Sequence, residues 1–281
     1  MDIVIQAALV GLLQGLTEFI PISSSAHLEL APWIAGWDTD GLIGSLAFDV
    51  FLHLGTLVAL LVYFARDWVR YVSAWVASVR ERRIGDDTDR RVAWLLVVAT
   101  IPAAIIGFAL EDFISETFHG DNTAARLAIA GFLVIGAFGL WLADRYGSQR
   151  RGLSDLTVPM ALAVGFSQAL ALFPGISRSG ATITASRFLG LSRESAARFS
   201  FLLATPITFG AGLYGSQRLL TEQHGATEWL AIGVGFAVAA LSGLLAIGFL
   251  LAWLRRRSLA AFSLYRVAFA GLIVVLVIIG R

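Results

Sequence analysis

Six long apolar stretches, separated by polar or arginine-containing segments, dominate the pattern of hydrophobic and polar positions along the chain. A bilayer core about 30 Å thick needs roughly 20 apolar helical residues at about 1.5 Å each. Each stretch is long enough and carries few charges, so each predicts a membrane-spanning helix. The predicted spans cover residues 42–65, 92–110, 124–143, 197–216, 229–254 and 259–280.

Two further apolar regions are interrupted by a polar break. Residues 3–37 are broken at Pro21 and the serines that follow it, and residues 158–191 are broken at Pro174. The pieces on either side of a break reach only roughly 17–26 Å as helices, too short to span comfortably. We therefore predict two re-entrant helical hairpins. Non-helical backbone at membrane depth needs cover from protein or water, so both breaks are candidate functional sites.

The two broken regions resemble each other at a constant offset of 154 residues. Eight of 16 aligned positions are identical, including polar ones, which predicts an internal duplication of one hairpin plus three spans. Within a single membrane domain over 1–281, the first repeat would cover about 1–144 and the second about 155–281. The identical pairs are Val10/Val164, Gly11/Gly165, Gln14/Gln168, Leu16/Leu170, Phe19/Phe173, Ile22/Ile176, Ser23/Ser177 and Ser25/Ser179.

The distribution of arginine predicts the orientation in the membrane. Three spans per repeat is an odd number, so the second repeat would be inverted relative to the first, an arrangement that builds sites between the repeats. Seven arginines lie within residues 66–91, whereas residues 1–41 contain none. The positive-inside rule therefore places 66–91 in the cytoplasm and both termini outside, in a multi-pass protein of the plasma membrane.

Composition excludes several classes of protein. With 57% apolar and 15% charged residues, the chain lies far from the average soluble domain, so we expect an all-α integral membrane protein. All 21 basic residues are arginine, which excludes a Walker-type phosphate loop and Schiff-base chemistry. The absence of cysteine excludes thiolate nucleophiles and disulfides. We expect membrane lipids and no nucleic acid as partners, and a homodimer is left open.

A dense polar cluster lies at the first break. Gln14 and Glu18 are four residues apart, so on a helix they lie on one face. Pro21 ends that helix, and a serine among residues 23–25 can cap the next helix while its first N–H groups stay available to an anion. His27 would then lie in the first turn, near the anion.

The second break offers a complementary set of groups. Glycines permit close approach of the backbone, hydroxyl groups supply donors at another helix start, and Arg178 presents a fork of donors suited to phosphate. Together the two breaks predict a site for a phosphorylated ligand. A divalent cation, Mg²⁺ or Ca²⁺, could bind Glu18 and Gln14 with help from phosphate oxygens. The residues expected to bind substrate are Ser23, Ser25, Gly175, Ser177, Ser179, Gly180 and Thr182.

The same residues have simpler structural explanations. The serines could act only as helix caps, and Arg178 could pair with a buried carboxylate for packing. An intramembrane carboxylate is expensive and usually functional, which favours a functional role for Glu18. Asp49 and His53, four residues apart in the first span, either orient His53 toward the site or form an ordinary buried hydrogen bond.

The chain resembles the undecaprenyl-diphosphate phosphatase family of the bacitracin-resistance type. Length and hydropathy match this family over the whole chain. The resemblance rests on three motifs in order, QGLTEFIPISSSAH at 14–27, FDVFLHLGT at 48–56 and PGISRSGAT at 174–182.

The resemblance implies an integral membrane hydrolase that converts a polyprenyl diphosphate into the monophosphate carrier lipid and inorganic phosphate. It also implies metal binding and catalysis by Gln14 and Glu18, with Gln14 standing where many members have Glu. Ser24 would be a nucleophile or phosphate ligand, His27 a base, acid or nucleophile, and Arg178 a phosphate clamp.

Other functions stay open from the residues alone. Inverted repeats with broken helices are also typical of transporters, so a prenyl-phosphate transporter or flippase is the main alternative. An intramembrane serine protease would use the serine and histidine but would leave Arg178 and the paired anion sites unexplained.

Overall fold

The computed structural model describes residues 1–37, 41–118, 123–221 and 224–280. Over these ranges the chain forms helices joined by short turns, and the main elements are eleven α-helices. Their bounds are α1 Ile3–Phe19, α2 Ser24–Ala35, α3 Leu46–Tyr63, α4 Ala65–Glu81, α5 Thr88–Phe118, α6 Thr123–Tyr146, α7 Val158–Ala169, α8 Arg178–Phe188, α9 Arg193–Thr221, α10 Ala226–Leu254 and α11 Ala260–Ile278.

Six of these helices are long and apolar enough to cross a membrane, which confirms the six predicted spans. They are α3, α5, α6, α9, α10 and α11. The largest difference in extent concerns α5, which covers Thr88–Phe118 where the hydrophobic pattern predicted only 92–110. The added residues at both ends are more polar, so an apolar window underestimates this helix.

Each of the two broken regions forms a pair of short helices around a tight turn. Ser23 and Ser177 are the N-caps of α2 and α8, and their hydroxyl oxygens accept hydrogen bonds from the N–H groups of Ala26 and Gly180. Both serines have a positive φ, 76° and 71°, a conformation that an L-residue adopts only when its surroundings enforce it. The two breaks therefore share one local geometry. Re-entry into the membrane stays a prediction.

The packing of the two helix pairs follows the order expected of a duplication. Helix α1 packs along α10, and its counterpart α7 packs along α5. The contacts depend on Gly11 and Gly165, because a Cβ at either position would overlap the backbone carbonyl of Gly235 or Ala99. These two glycines are one of the eight identical pairs. The inverted duplication itself stays a prediction.

The largest hydrophobic cluster surrounds α9 and anchors the first break. Phe199 and Phe201 are fully buried, and Phe19 at the end of α1 packs edge-on against Phe201 with 5.4 Å between ring centroids. A large aromatic pair of this kind fixes the position of the residues next to it. The neighbouring Glu18 is therefore carried on a well-packed helix end.

An additional helix, α4, lies in the arginine-rich segment that sequence analysis treated only as a cytoplasmic signal. Val69 and Val72 are exposed on it, while Arg70 pairs with Asp67 at 3.1 Å and with Asp89 at 3.3 Å. Exposed apolar and charged side chains on one helix are typical of a helix at the membrane surface.

Candidate active site

The two turns contact each other directly. The hydroxyl oxygen of Ser23 accepts a hydrogen bond from the N–H of Gly175 at 3.1 Å, and Ser179 donates to the carbonyl of Ile20 at 3.4 Å. The first turns of α2 and α8 are thereby held side by side. Both helices present N–H groups without helical acceptors at this point, and such groups favour the binding of an anion.

Glu18 joins the side chains of both turns. Its Oε1 accepts a hydrogen bond from Arg178 Nη2 at 2.6 Å. Its Oε2 accepts from the Ser24 hydroxyl at 2.5 Å and from Gln14 Nε2 at 3.2 Å, and the Nε2 atom of His53 lies 3.5 Å away. Glu18 is 6% exposed, so this buried carboxylate is stabilised by an ion pair and several hydrogen bonds. The sequence-predicted residues Gln14, Glu18, Ser24 and Arg178 therefore meet at one point.

Two polar atoms at this point have no hydrogen-bond partner within the part of the chain that the structure describes. Nη1 of Arg178 is buried and unpaired while Nη2 of the same guanidinium is held by Glu18. The amide oxygen Oε1 of Gln14 is likewise buried and unpaired. Buried polar groups are normally satisfied, so an unpaired donor and an unpaired acceptor next to Glu18 point to a ligand with both anionic and cationic parts.

His27 is held away from the Ser24 hydroxyl by its own hydrogen bonds. Its Nδ1 lies 2.7 Å from the carbonyl oxygen of Ser23, which can only accept, so Nδ1 carries the proton. In the neutral ring Nε2 then accepts from the Tyr265 hydroxyl at 2.7 Å, and the ring stacks on Phe269. Both nitrogens are occupied, which does not favour the interpretation of His27 as the base for Ser24.

Ser25 and Ser177 support the turns from within. The Ser25 hydroxyl lies 3.2 Å from that of Ser23, and the Ser177 hydroxyl lies 3.2 Å from that of Ser179. The two turns again share one arrangement. Phosphate binding by these hydroxyls stays a prediction.

Three other residues predicted to bind substrate have packing roles. Thr182 is fully buried and bonds to the Ser200 hydroxyl of α9 at 2.7 Å, so its side chain supports α8. Gly175 has a φ of 104°, and a Cβ there would lie 2.6 Å from the carbonyl oxygen of Ile129. A Cβ at Gly180 would lie 2.9 Å from Nη1 of Arg266. These contacts explain the residue types, and substrate contact by them stays a prediction.

A family model of the bacitracin resistance protein BacA matches residues 7–272 of this chain. The chain belongs to the BacA family. It is 46% identical over 275 residues to an undecaprenyl-diphosphatase of Thermomicrobium roseum, with 97% of each chain covered. It is also 47% identical over 276 residues to one of Desulforudis audaxviator, with 98% of each covered, and 45% identical over 271 residues to one of Geobacter sulfurreducens, with 96% and 97% covered. The resemblance identified from three motifs is thereby confirmed.

In this BacA family chain the structure adds residues that sequence analysis left out of the site or left undecided. His53 reaches Glu18 from α3, and its Nδ1 bonds to the backbone carbonyl of Asp49 at 2.7 Å, which orients the ring toward the site. Tyr265 of α11 bonds to His27, and Arg266, the next residue, bonds to the carbonyl of Gly175 in the second turn. For Arg266 a signal was present, since a single charge inside a strongly apolar span is usually functional.

The oxygen atoms around Glu18 fit a divalent cation that also binds phosphate. Within the described residues no group of three or more histidine, aspartate or glutamate side chains could hold a metal. The oxygen donors at this point are the Glu18 carboxylate, whose two oxygens also accept hydrogen bonds from Arg178, Ser24 and Gln14, and the unpaired Oε1 of Gln14. Mg²⁺ typically takes one or two carboxylates and completes its shell with water and substrate phosphates, so this small donor set suits it.

Proposed function

We propose that this BacA family protein removes the terminal phosphate of undecaprenyl diphosphate, giving undecaprenyl monophosphate and inorganic phosphate. The proposal rests on one observation above all, the meeting of Glu18, Ser24 and Arg178 at two adjacent helix starts. The names of the relatives support the same reaction. The product would re-enter the cycle of lipid carriers for cell-envelope glycans. Nothing found supports the alternative of a prenyl-phosphate transporter.

The diphosphate would bind where positive charge and N–H groups converge. Arg178 offers its unpaired Nη1, while its salt bridge to Glu18 holds the guanidinium in place. The first N–H groups of α2 and α8 add the partial positive charge of two helix ends. Charged and dipolar donors of this kind stabilise the charge that spreads over a transferring phosphoryl group.

The hydrogen bond from Ser24 to Glu18 supports a chemical step in which Glu18 is the base for Ser24. The Ser24 oxygen attacks the terminal phosphorus, its proton passes to Oε2 of Glu18, and the bridging P–O bond breaks. Undecaprenyl monophosphate leaves with the bridging oxygen, and the proton leaves Glu18 for solvent. Water then attacks the phosphoserine, gives a proton to Glu18, and Ser24 recovers that proton as inorganic phosphate departs.

A divalent cation would be held by Glu18 and by Oε1 of Gln14, together with phosphate oxygens of the substrate. When bound, it would neutralise charge on the phosphates. The residues of the chain orient the carboxylate, bind the phosphate and transfer the proton. Gln14 orients the Glu18 carboxylate, Arg178 binds phosphate, and Ser24 and Glu18 exchange the proton.

The nucleophile can be identified by trapping the intermediate. With 32P in the terminal phosphate, acid quenching of the purified protein is expected to leave label on Ser24, because phosphoserine is stable to acid. The Ser24→Ala variant should show no label. Acid-labile label that persists in Ser24→Ala would indicate attack by His27, and turnover without any label would indicate direct attack by water.

The function itself is tested with the purified full-length chain in detergent and undecaprenyl diphosphate, without any ion gradient. The wild type is expected to release inorganic phosphate. Glu18→Gln and Arg178→Ala should each reduce kcat/KM by roughly 10²- to 10³-fold, because each removes a charge next to the reacting phosphate. The exposed residues Glu81 and Arg150 provide matched controls as Glu81→Gln and Arg150→Ala. Near-normal release by both site variants would contradict the assignment of the site.

A further inference from the structure

Two adjacent residues of α11 make hydrogen bonds beside the two turns, Tyr265 to His27 in the first turn of α2 and Arg266 to the backbone of the second turn. The hydroxyl of Tyr265 donates to Nε2 of His27 at 2.7 Å, and His27 in turn donates from Nδ1 to the carbonyl of Ser23. Arg266 donates from Nη2 to the carbonyl of Gly175 at 2.7 Å. One helix, remote in sequence from both turns, therefore bonds directly to the second turn and is connected to the first turn through His27.

A direct bond between the turns closes these contacts into a ring. The N–H of Gly175 donates to the Ser23 hydroxyl oxygen at 3.1 Å. The ring runs from Tyr265 through His27, Ser23 and Gly175 to Arg266, which is the next residue of α11. Ser23 is the N-cap of α2, and Gly175 lies three residues before Arg178 at the start of α8. The ring therefore connects the N-cap of α2 to the residues that lead into α8.

Burying the charged side chain of Arg266 in a membrane span has a high cost in free energy. Its side chain is fully buried, and it donates to the carbonyl of Leu133 at 3.2 Å and to that of Ile176 at 2.9 Å. No carboxylate lies within ion-pair distance of it among the residues that the structure describes. A buried charge bound only to carbonyl dipoles is rare in a membrane span and usually functional. The bonds to Gly175 and Ile176 direct it to the turn next to Arg178.

We propose that Tyr265 and Arg266 are positioning residues that set the spacing of the two helix starts at which the diphosphate binds. The inference rests on the proposed function and deepens it. Within the ring, His27 transmits the contact from Tyr265 to Ser23 and holds the strained backbone of that turn. Among the described residues, no hydrogen bond or ion pair joins Tyr265 or Arg266 to Glu18, Ser24 or Arg178, so both act through the backbone of the turns.

The test uses Tyr265→Phe, which removes one hydroxyl, and Arg266→Met, which removes the guanidinium. Misplacing reacting groups by about 1 Å can reduce rates about 10²-fold. We expect kcat per folded protein to fall roughly tenfold in Tyr265→Phe and about 10²-fold in Arg266→Met, with a smaller rise of KM because the diphosphate binds at the same helix starts. Arg266→Lys should give an intermediate kcat, because its ammonium group can still bind one carbonyl.

Arg187 provides a matched control. It is also fully buried and bonds to backbone carbonyls, but at the other end of α8, where it contacts Leu191 and Gly147. Arg187→Met should lower the thermal midpoint while kcat per folded protein stays near that of the wild type. In double variants, Tyr265→Phe with Arg266→Met should lose less than the product of the single losses, because both break one ring. In the double variant Tyr265→Phe with Arg187→Met, the loss of kcat should equal the product of the two single losses.

Hydrogen exchange gives a readout that does not depend on activity. In Arg266→Met and Tyr265→Phe, the peptide containing residues 173–180 should exchange faster, while in Arg187→Met the faster peptide should be that around residues 187–192. Wild-type kcat in either ring variant together with unchanged exchange at 173–180 would overturn the inference and leave the proposed function intact. A wild type that releases no phosphate would instead overturn the proposed function. The exchange at residues 173–180 would still test whether Tyr265 and Arg266 hold the second turn in place.

Discussion

At the scale of single residues, the two turns keep a backbone conformation that their own sequence does not favour. Ser23 and Ser177 both have a positive φ, although glycine is the residue that tolerates such angles best. Strained residues of this kind cost about 1–3 kcal/mol and persist where neighbouring contacts enforce them. Here the enforcing contacts are the cap hydrogen bonds to Ala26 and Gly180 and the bond between Ser23 and Gly175.

Gly175 is the residue whose replacement should show this strain most directly. In Gly175→Ala the added Cβ meets the Ile129 carbonyl in a backbone of φ 104°, so we expect the turn to shift and phosphate release to fall at least about tenfold. Gly131 is a suitable control, because nothing lies within 4 Å of its Cβ position in α6. Gly131→Ala should keep full activity and match or raise the thermal midpoint. Equal activity of both variants would show that the turn does not need a glycine.

Removal of the cation provides a test of Glu18 and Gln14 as metal ligands. After treatment with EDTA, phosphate release is expected to stop, and added Mg²⁺ or Ca²⁺ should restore it. Gln14→Leu keeps the size of the side chain but removes the amide oxygen, so this variant should require a higher metal concentration for half-maximal rate. Gln168→Leu is the control in the corresponding helix. Full activity in EDTA would exclude a metal requirement.

Sequence reasoning found the residues that carry chemical groups but could not find all of their partners. Glu18 and Arg178 were recognisable because charges are rare in apolar segments, and Ser24 because it follows a helix break. The bond between His27 and Tyr265 joins residues 238 positions apart, and no pattern in one sequence indicates such a pair. The role expected for His27 depended on that unknown partner.

At the scale of elements, α8 carries Arg178 and is held at its far end by a second buried network. Asp144 at the end of α6 accepts two hydrogen bonds from Arg193, at 2.5 and 3.0 Å, and one from the N–H of Leu259 at 2.9 Å. Arg187 of α8 lies 3.7 Å from the same carboxylate. One side chain therefore connects the ends of four helices.

Loss of this carboxylate should affect stability more than chemistry. In Asp144→Asn the buried Arg187 and the partly buried Arg193 lose their counter-charge, and removing one partner of a buried ion pair typically costs about 3–5 kcal/mol. We expect a clearly lower thermal midpoint in detergent and a nearly normal kcat per folded protein. Asp89→Asn, which breaks a largely exposed pair with Arg70, should change stability by less than about 1 kcal/mol. A similar loss in both variants would contradict a structural role for the Asp144 network.

The elements that the sequence predicted well are those with a strong periodic or compositional signal. The six spans follow from apolar length, and the breaks at Pro21 and Pro174 follow from residues that end helices. Helix α4 was not predicted, because its mixture of arginines and valines reads as a charged loop when the segment is judged by hydropathy alone. Its amphipathic pattern predicts a helix only when the segment is considered at a membrane surface, where the apolar side chains can be buried.

At the scale of the whole molecule, the arginine-rich helix ends gather on one side. Arg198 pairs with Asp67 at 3.0 Å, which joins α9 to α4. Arg91 donates to the carbonyl of Ser154, which joins the start of α5 to the link after α6, and Arg255 contacts Glu194 at 3.2 Å. These contacts join links that bear many of the arginines, and the cytoplasmic orientation of these links stays a prediction of the positive-inside rule.

This arrangement leads to a prediction of membrane topology. The chain has no cysteine, so single-cysteine variants can be labelled without background. Arg83→Cys and Arg150→Cys lie in exposed parts of the arginine-rich face. Gly41→Cys lies in an exposed link elsewhere, and Thr227→Cys lies in the exposed first turn of α10. In intact cells a membrane-impermeant maleimide should label positions 41 and 227, and positions 83 and 150 should react only after the membrane is permeabilised.

Labelling at positions 41 and 150 tests the inverted repeat directly. Position 41 follows the first helix pair and position 150 precedes the second, so an odd number of spans between them places them on opposite sides of the membrane. Labelling of both from the same side would exclude the inversion and would leave the two turns entering from one face. A complete reversal, with 83 and 150 outside, would keep the inversion but would mean that the arginine-rich face does not set the orientation.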